Sequence, residues 1–432
     1  MRRFLIAIAA IVLLAGCAPE EKKGEIVLRI GNWGGAKEGN EFDLLVEKIY
    51  RDFEKENPGI VVKEESIPGE YVPKVSLAFI AGVEPDILML DASSSALFIN
   101  SGIVTDLTPF VAKDQDFSLK DFYPNVVDIT RRGNKLYAIP NDFTPMVVYY
   151  NKKLFEKAGV PYPKPGWTFE DFRRIAKALT IPGATKDDPP RQAGFSFTNW
   201  PAGWVMWIWN NGGDHMSPDG KHAVGYLDGP KSVEAVDFLR KLILEDRVAP
   251  SLSQAASLGV DLFANGEAAM TVSGHWSMVG YKAAPKGPDG KPKITWDDLG
   301  VVEMPHTIPQ PQTVMYESGY AIGSHCKNKE AAWKFIKYMT SHRVQSLYQQ
   351  SGIAVCGRID VAEERAKTSP LEAQFIPIIP SARPPYGARI EGYEYVEDQM
   401  TKAMDSILKS GTPPQAALTD KAKRIDKEFL KK

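Results

Sequence analysis

The sequence predicts an α/β fold built as two large units. Three observations lead there. They are a strand-helix-strand alternation at the start, a wholly apolar run of the kind that parallel sheets bury on both faces, and a proline-flanked segment that reads as a passage from one sheet to another. The length agrees, since 432 residues exceed what one ordinary core holds.

The alternation runs from Ile26 to Glu64. Ile26 to Ile30 is β-rich and opens onto Gly31-Asn32-Trp33-Gly34-Gly35. Phe42, Leu45, Val46, Ile49, Tyr50 and Phe53 then recur at helical spacing until Asn57-Pro58-Gly59 stops them, and Ile60 to Glu64 supplies the next strand. In such units, ligands sit beyond the carboxyl ends of strands, which is where Asn32 and Trp33 fall. A buried tryptophan under a glycine turn is the plainer alternative. GNWGG lacks the spacing and the lysine of a phosphate loop. Ile87 to Leu90 is the apolar run, with Asp91 and Ser93 to Ser95 at its carboxyl end.

The passage between sheets lies in Leu136 to Phe172. Pro140 and Pro145 bracket a polar link, Asn141-Asp142, between two apolar runs, and a single central strand hardly continues through two prolines. Downstream, Asn151 caps a short helix, Gly159 ends it, and Thr168 with Asp171 forms a capping box. Asn199 to Asn211 holds four of the nine tryptophans, with Trp200, Trp204 and Trp207 spaced for one helical face. Such stripes usually pack inward. Flat rings with polar neighbours also suit sugars, so Trp200 and Trp204 are candidates for ligand contact.

Composition narrows the function classes. Charged residues at 25% and a net charge of −2 give no reason for nucleic acid or an anionic surface. No opposed carboxylates, Ser/His/Asp set or metal spacing stands out, so no catalytic residue, metal or cofactor is expected, and His275 reads as a local hydrogen-bonder. Arg2 and Arg3 precede the apolar run Phe4 to Leu14, the layout of an export signal, which ends in Leu14-Ala15-Gly16-Cys17. That ending resembles the bacterial lipoprotein box. It implies a signal at 1–16, lipid on Cys17 and a tether over 17–24. Cys326 and Cys356 are then either a disulfide or two buried thiols.

YAIPND, YYNKKLFEKAGVP and PGWTFEDF together resemble the first inter-lobe crossover of the extracellular solute-binding proteins of ABC importers, in the carbohydrate-binding branch. AGVEPDILMLD, the run Leu262 to Trp276 and KNKEAAWKFIKYMTS resemble further signatures of that family. The resemblance implies a two-lobe periplasmic-binding-protein fold with a hinge of three crossovers and a cleft between lobes. It implies a first lobe of 25–141 with 317–352 and a second of 142–316 with 353–432. It points to Glu70, Tyr71, Asp91, Asp142, Trp276, Glu317, Ser318 and Arg358 as ligand contacts beside Asn32, Trp33, Trp200 and Trp204, with Tyr386 and Tyr393 as weaker candidates. The implied protein is an exported, lipid-anchored monomer. It would hold a mono- or oligosaccharide at the outer face of the cytoplasmic membrane or in the periplasm, and pass it to permease subunits. A receptor for a polyamine or organic phosphate, or a secreted carbohydrate-active enzyme, is the alternative.

Overall fold

The structure is a computed structural model and describes residues 24–32, 41–352 and 354–429; Cys17 and Trp33 lie outside them. Among the described residues, twelve strands form the sheets. They are β1 (Ile26–Asn32), β2 (Ile60–Ser66), β3 (Ile87–Asp91), β4 (Arg131–Arg132), β5 (Lys135–Leu136), β6 (Ile139–Pro145), β7 (Val147–Asn151), β8 (Met270–Ser273), β9 (Leu299–Val302), β10 (Thr313–Ile322), β11 (Val355–Cys356) and β12 (Ala382–Arg383).

The large sheet runs β11-β6-β10-β3-β1-β2, with β12 also beside β10. β1 pairs parallel with β2 and β3, as the strand-helix-strand reading requires, while β10 lies antiparallel between β3 and β6. The small sheet, β8-β7-β9, is antiparallel. β4 and β5 form a separate short hairpin.

The chain changes sheets between β6 and β7, so the proline-flanked segment is the expected passage. The break falls at Pro145-Met146 rather than at Asn141-Asp142, which lie inside β6. Pro140 is tolerated because β11 pairs only with Asp142 and Phe143, leaving β6 an edge at Pro140, and because the pairing with β10 shifts register there.

Packing follows the sheets. Leu28, Ile30, Ile87, Tyr320 and Ile322 meet the helices Glu41–Glu56 and Lys329–Met339 on one face of the large sheet, and Leu88, Leu90 and Ala321 meet Val75 and Phe98 on the other. Val148 and Met270 of the small sheet pack with the tryptophan-rich helix Pro201–Asn210 and with Val396 and Met400 of the helix Tyr393–Ser410. Among the described residues, no helix is long and apolar enough to cross a membrane.

The helix caps lie where the sequence places them. Asn151 accepts from the Leu154 N–H at 3.4 Å, Gly159 stops that helix with φ 66°, and Thr168 with Asp171 closes a capping box. The disulfide alternative does not hold. Cys326 packs beside the first face of the large sheet, whereas Cys356 sits on β11 with Phe143 and Val355, and both are free buried thiols. Burial pushes both thiols up, Cys326 to about 12, which leaves them unreactive.

Candidate functional site

The large sheet lays down a polar row. Asp91 on β3 and Asp142 on β6 are both register partners of Ser318 on β10, so the three side chains stand abreast on one face of neighbouring strands. Asp142 accepts from Asn141 Nδ2 at 2.7 Å and from the Tyr348 hydroxyl at 3.0 Å. Burial pushes its carboxyl up to about 6, with Ser318, Tyr348, Asn141 and the neighbouring His275 resisting. Asp91 accepts from the Ser93 N–H at 2.8 Å and is also raised by burial. A third carboxyl comes from Glu397 on the helix Tyr393–Ser410, pushed up to about 7 by burial and then by Asp91 and Glu394. Asp91, Asp142 and Glu397 are each only half-buried, so solvent reaches a place that protein already surrounds.

Aromatic rings stand beside these carboxyls. Trp200, Trp276 and Tyr316 form a triangle with every centroid separation at 6.0 Å; Trp200 stacks on Tyr316 at 25°, and Trp276 meets both nearly edge-on. Tyr316, on the same face of β10 as Ser318, lies within electrostatic reach of Glu397 and Asp91. Local chemistry sets each ring. Pro201 opens the tryptophan-rich helix and holds Trp200 extended ahead of it, at φ −129° and ψ 122°. A Cβ on Gly274 would collide with the Trp276 ring and with Thr144, so only glycine lets that indole fold back. His275 does hydrogen-bond, at 2.7 Å, but to Glu372 far along the chain rather than to a local partner.

Other candidates lie elsewhere. Trp204 is 0% exposed and donates to Asn199 Oδ1 at 3.2 Å, against 40% exposure for Trp200, because the helix begins after Trp200 and the supposed stripe divides there. Glu317 is 2% exposed, and strand alternation turns it to the face opposite Ser318. Neither of its oxygens has a hydrogen-bond partner, and burial, then Asp142 and Asp91, raises its carboxyl well above the usual range. The Arg358 guanidinium is held by Asp360 at 2.7 Å and Asp121 at 3.2 Å rather than offered to the row. Tyr71 is buried and donates to Gly31 O at 3.1 Å, bracing the end of β1, while Glu70 is exposed. Asn32 donates to Glu64 at 2.7 Å and keeps a buried Oδ1 without a partner. Tyr386 and Tyr393 meet Asp214 and His215, and Tyr393 also lies within electrostatic reach of Glu397 and Tyr316.

Tyr316, Tyr348 and Glu397 were not foreseen. A signal for Glu397 existed, since it shares the apolar stripe of Tyr393, Val396 and Met400, where a carboxylate has no packing role.

Two α/β units with a polar and aromatic site placed by both sheets define the solute-binding class of fold. The profile of the bacterial extracellular solute-binding proteins matches residues 35–346, and the chain belongs to that family. It is 27% identical to the multiple sugar-binding protein of Streptococcus mutans, over 84% of this chain and 82% of that one. In structure it resembles an ABC substrate-binding protein of Listeria monocytogenes in complex with cycloalternan (TM-score 0.78, 24% identity, 94% and 99% covered). It also resembles UgpB of Mycobacterium tuberculosis in complex with glycerophosphocholine (TM-score 0.76, 20% identity, 95% and 99% covered).

Glu317 gives a test of the burial argument. An acid with a raised native pKa favours the native state only while protonated, so stability falls as pH climbs above the unfolded value of about 4.3. Glu317→Gln should therefore be more stable than the parent at pH 8 by about 1 kcal/mol or more, with the difference shrinking towards zero at pH 4. Denaturant unfolding at both pH values checks this, and an equal difference at each would refute it.

Proposed function

We propose that this chain is the carbohydrate receptor of an ABC importer. It captures a sugar outside the cytoplasmic membrane and hands it to separate permease subunits, without catalysing a reaction. The observation that carries the reading is the triangle of Trp200, Trp276 and Tyr316 set beside the half-buried Asp91 and Glu397. Indole and phenol faces cover the C–H patches of a sugar ring, while carboxylates accept from its hydroxyls. The sugar-binding name of the Streptococcus mutans relative and the cycloalternan held by the Listeria neighbour support the same reading.

Within it, Asp91 and Ser318 stand in the first-lobe wall with Asn32 at the rim, Asp142 stands at the crossover between lobes, and Trp200 and Trp276 stand in the second-lobe wall. The lobes divide as 25–141 with 317–352 and 142–316 with 353–432. The receptor acts as a monomer. Cys17 carries lipid after removal of 1–16, which holds it at the membrane.

One observation favours a second reading. Among the described residues, no lysine or arginine is among the main influences on Asp91, Asp142 or Glu397. An uncompensated carboxyl site suits a cationic solute such as a polyamine and disfavours an organic phosphate.

The deciding experiment is a thermal-shift screen of the chain from Glu20 onward against sugars, inositols, polyamines and phosphates. A ligand at a hundred times its Kd adds about 2.7 kcal/mol to stability. Response to a sugar class supports the receptor reading, and response to polyamines alone replaces it. With the responding sugar, Trp276→Ala and Trp200→Ala should each weaken binding by about tenfold or more, on the scale of 1–3 kcal/mol for a stacked ring. Trp204→Ala should instead cost about 3–5 kcal/mol of stability as a core cavity.

Acidity supplies another check. Ionised acceptors bind hydroxyls more strongly than neutral ones, so affinity should rise about fivefold or more from pH 5 to pH 8 as Asp142 and Glu397 ionise through about 6 and about 7. Titration calorimetry at both ends giving one Kd would remove the carboxyls from the acceptor role. For the anchor, Cys17→Ser should release the protein from the membrane fraction of an expressing bacterium, and retention would contradict lipidation.

A further inference from the structure

A groove opens beside Trp200 and Trp276, and what it implies rests on the carbohydrate reading and sharpens it. About 470 Å³ lie between the segment 195–200, the helix Leu252–Leu258 and β8, within the size range of small-ligand sites. Trp200 and Trp276 form part of its wall, and the same two indoles belong to the triangle that adjoins Asp91 and Glu397 through Tyr316. The rest of the wall mixes apolar Phe197, Leu252 and Val260 with Asp261 and a hydroxyl pair, Ser273 and Ser277, 2.5 Å apart. That mixture of flat apolar surface and spaced polar groups repeats the chemistry of the triangle.

The spacing of Trp200 and Tyr316 decides how a ligand can use both places. At 6.0 Å and 25° the rings are in direct contact range, so no sugar ring fits between them. Tyr316 faces the carboxyls on one side of the pair, and Trp200, still 40% exposed, lines the groove on the other.

The geometry points to a second saccharide subsite in this groove. The solute is an oligosaccharide of two or more units, with one ring at Tyr316, Asp91 and Glu397 and a glycosidically linked ring against Trp200, Leu252 and Val260. A monosaccharide would fill only the first place and leave the groove to water.

Titration calorimetry on the chain from Glu20 onward, using mono-, di- and trisaccharides of the gluco, xylo, arabino, manno and galacto series, tests this. In the series that binds, the di- or trisaccharide should bind about tenfold or more tighter than its monosaccharide. Ala255→Trp, which fills the groove from the helix Leu252–Leu258, should erase that increment, and Leu252→Ala should reduce it without adding bulk. Equal affinity for monosaccharide and longer chains overturns the subsite while leaving the carbohydrate reading standing. So does an Ala255→Trp protein, folded by circular dichroism, that loses affinity for both in equal proportion. Silence across every series overturns the carbohydrate reading, and the subsite with it.

Discussion

The register of β10 is the constraint on which the arrangement depends. This strand lies antiparallel between β3 and β6, and its pairing sets Ser318 opposite both Asp91 and Asp142. Side chains alternate along a strand, so one register also sends Tyr316 to the site face and Glu317 away from it. A slip of one residue would exchange those roles, burying Tyr316 and Ser318 and setting Glu317 in the row. The slip is resisted from both sides. Tyr320 and Ile322 are committed to one core, Met315 and Ala321 to others, and each would lose its packing.

The site is built from separate parts of the chain that share little sequence proximity. The large sheet supplies carboxyls and a hydroxyl, the end of β8 supplies Trp276, the entry to a helix supplies Trp200, and a late helix supplies Glu397. Burial without full exclusion of water explains the raised acids. Protein surrounds Asp142 and Glu397 and disfavours their charge, yet both keep some exposure, so an entering solute can replace water as the donor. A solute touching groups placed by both sheets would bind best when they approach one another, which is the differential affinity that lobe closure requires.

Tryptophan is used here for two purposes within a single segment. Trp204, Trp207 and Trp209 are core residues, each almost wholly buried around the small sheet, and they fix the helix that carries the segment. Trp200 stands one residue before that helix and meets solvent. Proline at the first helical position separates the two uses, since it starts the helix and holds the residue before it in extended form.

Local rules made much of this legible in the sequence. Periodicity gave the α/β alternation, side-chain oxygens and glycine gave the caps at Asn151, Gly159 and Thr168, and paired prolines gave the passage between sheets. These depend on neighbours within a few residues, which a sequence displays. Asp91, Asp142, Ser318 and Trp276 stand out as candidates because strand ends and crossovers are where ligands meet α/β proteins, and Trp200 because it belongs to a run of tryptophans. The tertiary structure decided the rest. Whether Glu317 or Ser318 faces the site is a matter of register, whether Trp204 or Trp200 is exposed depends on where a helix begins, and whether two cysteines meet depends on which core each enters. Glu397 and Tyr316 joined the site through pairings and packing between residues far apart in the chain, and no local pattern contains those distances.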